Sequence, residues 1–425
     1  MKRQKASALN NALSASLNKR RSSATIRQLA TNPPNSVDFS SNDFLSLAID
    51  ADLRDAFLTE LRSGPTATGS GGSRLLDGNS TYAERLEREI ASFHHATAGL
   101  LCNSGFDANV GLFSCLPQPG DIILYDEYIH ASVHDGMRLS RADKCICFVH
   151  NDVSALRSVI RQCLLDDMEV QEGRRSIFVA VEAVYSMDGD VAPLEAIISA
   201  LDDLLPEGNG HLIVDEAHST GVFGEQGRGL VCQLGLEDKV LVRLHTFGKA
   251  LACNGAILLC SPLIRQYLVN YARSLIYTTF MSYPALAAIK ASYQYMMQGK
   301  TEPLQHNLHM LIETLHLRLL DLQASMNLPL KMQRLLDVPT ACPKSPIFSV
   351  LSSEPKALAA FCQCNGFVVR GIVPPTVPAG AERIRVCLHA GNTVQQIDGL
   401  IDTIRCWLEQ RLRHPDQAGQ IRARL

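Results

Sequence analysis

Short apolar runs alternate along the first two thirds of the chain with longer stretches whose apolar residues recur at helical spacing. The short runs are rich in β-branched residues and predict strands, and the longer stretches predict amphipathic helices. Such alternation predicts right-handed βαβ units and one large α/β domain with a mainly parallel sheet. The predicted strands are residues 121–125, 144–149, 177–181, 212–214 and 240–244, and the predicted helices are residues 82–96, 103–116, 152–166 and 193–205.

The last third of the chain has a different pattern, with long helical stretches followed by mixed strands and a helix. Helical spacing covers residues 286–297 and 306–326, strands are predicted at 347–351, 367–372 and 383–389, and a helix at 356–365. The pattern favours a smaller α+β domain. The predicted organisation is therefore an N-terminal basic helix and strand segment (1–48), a large cofactor-binding α/β domain (49–285), a small C-terminal domain (286–413) and a flexible tail (414–425).

Composition narrows the classes of function that fit. The 425 residues have a formal net charge of −3, with 46% hydrophobic and 20% charged residues, which is ordinary for a globular protein. A near-neutral chain does not favour a nucleic-acid partner, and no apolar run approaches the roughly 18 residues of a membrane span. The 13 cysteines include no Cys-x-x-Cys pair, so neither a metal site nor a redox pair is expected.

Two neighbouring strand ends carry the candidate chemistry. Lys249 lies among small residues in the turn after strand 240–244, and Asp215 and His218 directly follow strand 212–214. Ligands of open α/β sheets bind beyond the carboxyl ends of such strands. Pyridoxal phosphate would use all three side chains, as Schiff-base partner, as partner of the ring nitrogen and as neighbour of the phenolic oxygen. The alternative is that Lys249 is an ordinary turn lysine and Asp215 a helix cap.

Two glycine-containing segments give weaker signals. Residues 69–74 allow close backbone approach to a ligand or a neighbouring subunit, or they form a flexible turn. Ser104 and Gly105 open a helix, where free backbone N–H groups can hold a phosphate. Simple capping of that helix by Ser104 explains the same residues.

In combination these motifs resemble the α-oxoamine synthases over about residues 10–410. The resemblance implies a fold of the aspartate-aminotransferase type, pyridoxal 5'-phosphate as cofactor and a homodimer with sites at the subunit interface. It rests on ordered blocks that include Ser41-Asn42-Asp43-Phe44-Leu45, Ser104-Gly105-Phe106, His130-Ala131-Ser132, His150-Asn151-Asp152, Ser186-Met187-Asp188-Gly189-Asp190, residues 215–221, residues 246–249 and residues 374–380.

The resemblance also implies a role for each matching residue. Lys249, His130, Asp215 and His218 are the expected catalytic residues, with His130 stacked on the cofactor ring and facing substrate. The remaining cofactor contacts are expected from Gly105, Phe106, Ser186 and Thr246, and from Thr278 and Thr279 reaching in from the partner subunit. Substrate contacts are expected from Arg27, Asn42, Thr376 and Arg385, of which Arg385 would hold the amino-acid carboxylate.

The activity that the resemblance implies is a decarboxylating condensation of L-alanine with pimeloyl-CoA or another pimeloyl thioester in biotin synthesis. The alternatives are a sister synthase that uses glycine or serine with another acyl-CoA, and a non-catalytic structural paralogue, against which Lys249 argues. Val373 stands where many bacterial members have an arginine near the acyl chain. Arg370 lies three places earlier in the strand, so it is expected on the opposite face from residue 373.

Two terminal features bear on location. The chain ends Ala423-Arg424-Leu425, a variant of the Ser-Lys-Leu peroxisomal address, which predicts a peroxisomal import receptor as a partner. The basic N-terminus favours mitochondria, but the family resemblance starts near residue 10 and leaves little room for a removable presequence. Peroxisome is the expected location, with cytosol and mitochondrion as the alternatives.

Overall fold

The apolar runs form three sheets in the computed structural model, which describes residues 7–413 except Ala24, Ala30, Thr66 and Asn327. The strands are β1 Val37–Asp38, β2 Ala98–Cys102, β3 Ile122–Asp126, β4 Lys144–Phe148, β5 Ile177–Glu182, β6 Gly210–Asp215, β7 Val242–Thr246, β8 Ala256–Cys260, β9 Ile347–Leu351, β10 Phe367–Val368, β11 Arg370–Ile372 and β12 Arg383–Cys387.

Helices surround these sheets. They are α1 Ala8–Ser22, α2 Ala51–Ser63, α3 Thr81–Phe93, α4 Gly105–Cys115, α5 Ala131–Arg138, α6 Val153–Asp166, α7 Met168–Gln171, α8 Leu194–Leu204, α9 Leu230–Gln233, α10 Pro262–Tyr271, α11 Arg273–Ile276, α12 Tyr283–Met297, α13 Glu302–Met326, α14 Pro355–Cys364 and α15 Val394–Arg413. The predicted caps are in place, since Ser104 caps α4 and Asp152 caps α6 through side-chain oxygens that accept backbone N–H groups.

The large sheet has seven strands in the order β2-β8-β7-β6-β5-β3-β4. The five strands from β7 to β4 are parallel, and β8 runs antiparallel to both β7 and β2. Every residue of β5 is buried, and its alternate side chains enter different hydrophobic clusters, Val179 in one and Phe178 in the other. A parallel sheet covered on both faces needs such continuous apolar strands. The predicted α/β fold with a mainly parallel sheet is confirmed.

The C-terminal region forms a three-stranded antiparallel sheet, β11-β12-β9. The two-residue strand β1 pairs in parallel with β10, so the N-terminal segment joins this region. Because α12 packs against α2 and α3, it lies with the large sheet. The domain boundaries drawn from the sequence stay a prediction.

One predicted strand is wrong in its extent. The run 367–372 divides into β10, which pairs with β1, and β11, which pairs with β12. The chain changes sheets at the fully buried Val369, and periodicity alone does not reveal such a change of partner.

No helix in the described ranges is long and apolar enough to cross a membrane. The same residues contain no group of three or more His, Cys, Asp or Glu side chains placed to hold a metal ion.

Buried histidines should make the fold sensitive to acid. His94 is fully buried between the Arg228 carbonyl oxygen and the Tyr293 hydroxyl, and burial lowers its pKa to about 3. Burial also lowers the pKa of His218 and of His245 well below the ordinary value. In the unfolded chain each imidazole takes up a proton near pH 6.5, whereas the folded chain excludes it. Each such histidine should therefore lower the free energy of unfolding as the pH falls below about 6.5, by up to about 1.4 kcal/mol per pH unit.

Denaturant unfolding at about pH 7 and about pH 5 measures this loss. His94→Gln should reduce the difference between the two pH values, and His306→Gln, at an exposed position, should leave it unchanged. An equal change in stability between the two pH values in His94→Gln and in the wild-type protein would contradict the expectation.

Candidate active site

The predicted chemical groups meet at one edge of the large sheet. The parallel register places Glu182 of β5 beside Asp215 of β6, and Asp215 beside Leu244 of β7. Lys249 follows β7 in a tight turn held by backbone bonds from Cys253 N to Phe247 O (2.8 Å) and from Phe247 N to Gly255 O (2.9 Å). The turn fixes the lysine at the carboxyl edge, where the sequence placed it.

Asp215 is buried and its two carboxylate oxygens have separate partners. Oδ1 accepts the backbone N–H of Ala217 at 2.9 Å, and Oδ2 accepts Nδ2 of Asn109 at 2.9 Å. Asn109 lies inside α4, so the helix that starts at Gly105 also orients this carboxylate. The two hydrogen bonds hold the carboxylate in one orientation beside Lys249.

A hydrogen-bond chain runs from Asp215 to His130. Asn109 Nδ2 also donates to Ser132 Oγ (3.0 Å), and Ser132 Oγ lies 2.7 Å from His130 Nδ1, which accepts the Ser132 backbone N–H at 3.2 Å. Burial lowers the pKa of His130, which favours the neutral ring. Because Nδ1 acts as an acceptor in this network, the proton of the neutral ring belongs on Nε2. His130 therefore presents an N–H donor away from Ser132.

Burial shifts the other charged groups at this edge. It lowers the pKa of the Lys249 amine, which the carboxylates of Asp215 and Glu182 partly oppose. Burial, followed by the charge of Asp215, raises the pKa of Glu182 well above its usual range. Burial therefore favours the neutral amine of Lys249 and the protonated carboxyl group of Glu182.

The N-terminus of α4 forms the anion end of the site. No hydrogen bond of the described residues uses the backbone N–H groups of Gly105 and Phe106. A Cβ at position 105 would lie 2.5 Å from Cγ2 of Thr246, so the close approach requires glycine. Thr246 Oγ1 is buried and has no hydrogen-bond partner among the described residues. These donors match a phosphate group at a helix N-terminus.

Thr278 and Thr279, which were expected to reach in from a partner subunit, lie beside Asn103 of their own chain, just before α4. Asn103 Nδ2 contacts Thr278 Oγ1 at 3.4 Å and donates to the Thr279 carbonyl oxygen at 2.7 Å. That they contact the cofactor phosphate bound in a partner subunit stays a prediction.

Arg385 reaches the site from the small sheet. Its guanidinium is buried and donates to Ser186 O (2.6 Å), Asn42 Oδ1 (2.9 Å) and Ser40 O (3.5 Å). Arg385 thereby joins two further predicted residues, Ser186 and Asn42. Since these partners are neutral oxygens, the cation is free to take a carboxylate as counter-ion.

Two predicted substrate residues lie farther out. Arg27 is exposed in the segment after α1. Thr376 is exposed and lines a cavity of about 490 Å³, together with Tyr128, Tyr185, Met187 and Val377. Ser186 also lines this cavity, which therefore connects the surface with the site.

The residues present fit pyridoxal phosphate. His218 Nδ1 and Thr246 Oγ1 are buried without a hydrogen-bond partner among the described residues, so each can bond to a polar atom of a bound cofactor. Asp215 offers a carboxylate to a ring nitrogen, and the N-terminus of α4 offers N–H groups to a phosphate. Pyridoxal phosphate is the cofactor.

Sequence reasoning missed Asn109, Ser132 and Glu182. Asn109 and Ser132 carry the hydrogen-bond chain from Asp215 to His130. Glu182 directly follows the predicted strand 177–181, and β5 pairs with the strand that ends in Asp215. Its position at a strand end was the sequence signal that could have identified it.

The chain matches a known protein family and several known proteins. The family model described as aminotransferase class I and II matches residues 34–404. The chain is 54% identical over 404 residues to 8-amino-7-oxononanoate synthase from Emericella nidulans, covering 95% of this chain and 96% of that protein. It is 41% identical over 379 residues to the aminoacyl transferase sphA from Aspergillus fumigatus, covering 87% and 80%. Its fold is similar to that of serine palmitoyltransferase from Sphingomonas wittichii, with a TM-score of 0.79, 24% identity and 94% and 98% coverage.

Proposed function

Because the chain belongs to the aminotransferase class I and II family and, within it, to the pyridoxal-phosphate-dependent α-oxoamine synthases, we propose that it condenses L-alanine with pimeloyl-CoA or a related pimeloyl thioester. The products are 8-amino-7-oxononanoate, CoA and CO₂, in biotin biosynthesis. The main support is the 54% identity, over nearly the full length of both chains, to a protein named 8-amino-7-oxononanoate synthase. The convergence of Lys249, Asp215 and Arg385 supplies the chemistry that the reaction needs.

Each part of the cofactor has a candidate binding residue among the described side chains. Lys249 would bind its aldehyde carbon, Asp215 its ring nitrogen, His218 its phenolic oxygen, and the N-terminus of α4 with Thr246 its phosphate. When bound, pyridoxal phosphate draws into its ring the electron pair left on the amino-acid Cα.

Lys249 acts as the general base that takes the α-proton of alanine. A base at this place must be neutral before it accepts a proton, and burial lowers the pKa of Lys249 in that direction. The Asp215 carboxylate is oriented by its two hydrogen bonds and favours a protonated ring nitrogen.

His130 polarises the thioester carbonyl during the condensation. Its ring is exposed to the site, and Ser132 occupies its Nδ1, so the Nε2–H is available as a donor. The alanine Cα then bonds to the thioester carbon, the C–S bond breaks and the thiolate takes up a proton. The alanine carboxylate leaves as CO₂, and a proton returns to the same Cα.

Arg385 holds the alanine carboxylate through charge-assisted hydrogen bonds, with Asn42 fixing the guanidinium at 2.9 Å. The cavity of about 490 Å³ beside Thr376 receives the thioester. Its wall includes Pro374, Pro375 and Val377, which offer apolar contacts to a methylene chain.

The test is release of free thiol from pimeloyl-CoA by the purified holoenzyme, with L-alanine, glycine or L-serine as second substrate. The proposal expects release with L-alanine at least about tenfold faster than with glycine or L-serine. Release only with glycine or L-serine would overturn the assignment to alanine.

A sister synthase is the second candidate, favoured by the 41% identity to an aminoacyl transferase sphA. Such an enzyme would keep Lys249, Asp215 and the cofactor, and would differ in its amino acid and acyl chain. The same panel, repeated with palmitoyl-CoA, separates the two candidates. The presence of Lys249 argues against a non-catalytic structural paralogue.

We propose that the enzyme is a homodimer. Large apolar side chains are exposed at Phe106 (46%) in the first turn of α4, at Tyr277 (72%) next to Thr278 and at Leu76 (79%), and a second copy of the chain would cover them. Sedimentation of the holoenzyme at twice the mass of one chain supports this arrangement, and sedimentation at the mass of one chain contradicts it.

We also propose a peroxisomal location, on the strength of Ala423-Arg424-Leu425, which lies outside the described residues. A tagged full-length protein should appear in punctate bodies, and deletion of these three residues should make it diffuse. An unchanged punctate pattern after deletion would contradict recognition by an import receptor.

A further inference from the structure

Two arginines lie directly opposite each other on the small sheet. In the antiparallel pairing of β11 with β12, Arg370 is the partner of Arg385. Directly opposed residues of an antiparallel pair project from the same face, with Cβ atoms about 5 Å apart. Arg370 therefore lies on the face from which Arg385 reaches Ser186, and not on the face of Val373.

Arg370 is held in place by neutral oxygens. Its Nε lies 3.1 Å from Ser40 Oγ and its Nη2 lies 3.3 Å from Asn32 Oδ1. The carbonyl of the same Ser40 is a partner of Arg385 at 3.5 Å. Both guanidinium groups thus converge on the segment that precedes Asn42.

Neither guanidinium forms an ion pair with a carboxylate of the described residues. Like charges directly opposite on neighbouring strands destabilise a sheet. By contrast, Arg383 on the same strand β12 forms an ion pair with Asp188. The unopposed pair of Arg370 and Arg385 is therefore arranged for anions that arrive with the substrates.

The accessibility of the two groups differs. Arg385 is buried at the catalytic edge, and Arg370 is exposed at the rim of the same face. Arg385 meets the carboxylate of the amino acid. Arg370 lies one strand farther from that carboxylate and is reachable from solvent.

We propose that Arg370 binds the carboxylate at the far end of a dicarboxylic acyl chain and thereby selects an ω-carboxylated acyl thioester over an unsubstituted one. This inference rests on the proposed condensation of an amino acid with an acyl thioester. Ser40 and Asn32 preorganise the guanidinium, so that binding the carboxylate costs less side-chain entropy. The two substrates then present one carboxylate to each of two adjacent arginines.

The experiment compares pimeloyl-CoA with heptanoyl-CoA, which has the same chain length and no distal carboxylate, using L-alanine and the holoenzyme. The wild-type protein should prefer pimeloyl-CoA in kcat/KM. Arg370→Gln should lower kcat/KM for pimeloyl-CoA about tenfold or more, which is the worth of one charge-assisted hydrogen bond. It should leave kcat/KM for heptanoyl-CoA and the KM for L-alanine unchanged.

Two variants serve as controls. Arg370→Lys keeps the positive charge but loses the two parallel N–H donors of the guanidinium. It should therefore retain an intermediate preference for pimeloyl-CoA. Arg54→Gln removes an exposed arginine whose ion pair with Asp55 lies at 3.9 Å on helix α2, and it should behave as wild type with both thioesters. An unchanged cofactor absorption spectrum in Arg370→Gln shows that the fold and the catalytic edge are intact.

The outcomes separate this inference from the proposed function. If the wild-type enzyme turns over pimeloyl-CoA and Arg370→Gln keeps the full preference over heptanoyl-CoA, the inference is overturned and the proposed function stands. If Arg370→Gln raises the KM for L-alanine and affects both thioesters equally, Arg370 serves the amino acid and the inference is again wrong. If the wild-type enzyme uses neither thioester, the proposed function fails and the inference fails with it.

Discussion

Lys249→Ala is expected to lower turnover by at least about 10³-fold and to remove the covalent attachment site of the cofactor. Lys249 is the amine that the turn after β7 delivers to the carboxyl edge of the sheet, and burial favours its neutral form. Alanine at this position offers neither a nucleophile nor a base. Mass spectrometry after borohydride reduction measures the attachment, and thiol release measures turnover.

Two variants make the interpretation specific. Lys249→Arg keeps a positive charge and about the same length, but its guanidinium stays protonated, so it should be as inactive as the alanine variant. Lys239→Ala removes an exposed lysine paired with Asp202 at 2.9 Å and should keep full activity and full cofactor attachment. Turnover of Lys249→Ala within tenfold of wild type would show that another group is the base.

Asp215→Asn is expected to lower kcat by about 10²–10³-fold with a smaller effect on the KM for L-alanine. The asparagine has the same shape and can still accept the N–H of Ala217, but it removes the negative charge that favours a protonated ring nitrogen. The loss concerns stabilisation of charge during the reaction, so it appears mainly in kcat. Steady-state kinetics with pimeloyl-CoA and L-alanine measure it.

The control for this substitution is Asp202→Asn, at a side chain that is 58% exposed and pairs with Lys239. It removes the same charge outside the site and should leave kcat unchanged. Asp215→Glu keeps the charge and should restore part of kcat if its carboxylate still reaches the ring. A fall in kcat of less than about threefold in Asp215→Asn would contradict the assigned role of Asp215.

The alternating pattern of the first two thirds of the chain was enough to predict the parallel sheet, because buried parallel strands read as apolar runs. It did not predict β2 and β8, which complete the sheet by antiparallel pairing. The turn residues Asp215 and Lys249 could be placed at one edge from strand order alone.

Other features depend on geometry that the sequence does not contain. Asn109 lies in the middle of a helix and serves the site only because α4 packs against α5 and brings this side chain to Asp215 at the end of β6, so no spacing rule identifies it. The opposition of Arg370 and Arg385 depends on the register of β11 with β12, which periodicity does not fix across a loop. The division of residues 367–372 between two sheets has the same origin.

The most direct test of the central claim follows two atoms of one substrate through the reaction. The holoenzyme receives pimeloyl-CoA and L-alanine labelled with carbon-13 in the carboxyl group and deuterium on Cα, in ordinary water. The account predicts 8-amino-7-oxononanoate with neither label, because Lys249 removes the deuteron and the carboxyl carbon leaves as CO₂. A condensation product that keeps the carbon-13 or the whole of its deuterium, or the absence of such a product with alanine, would contradict it.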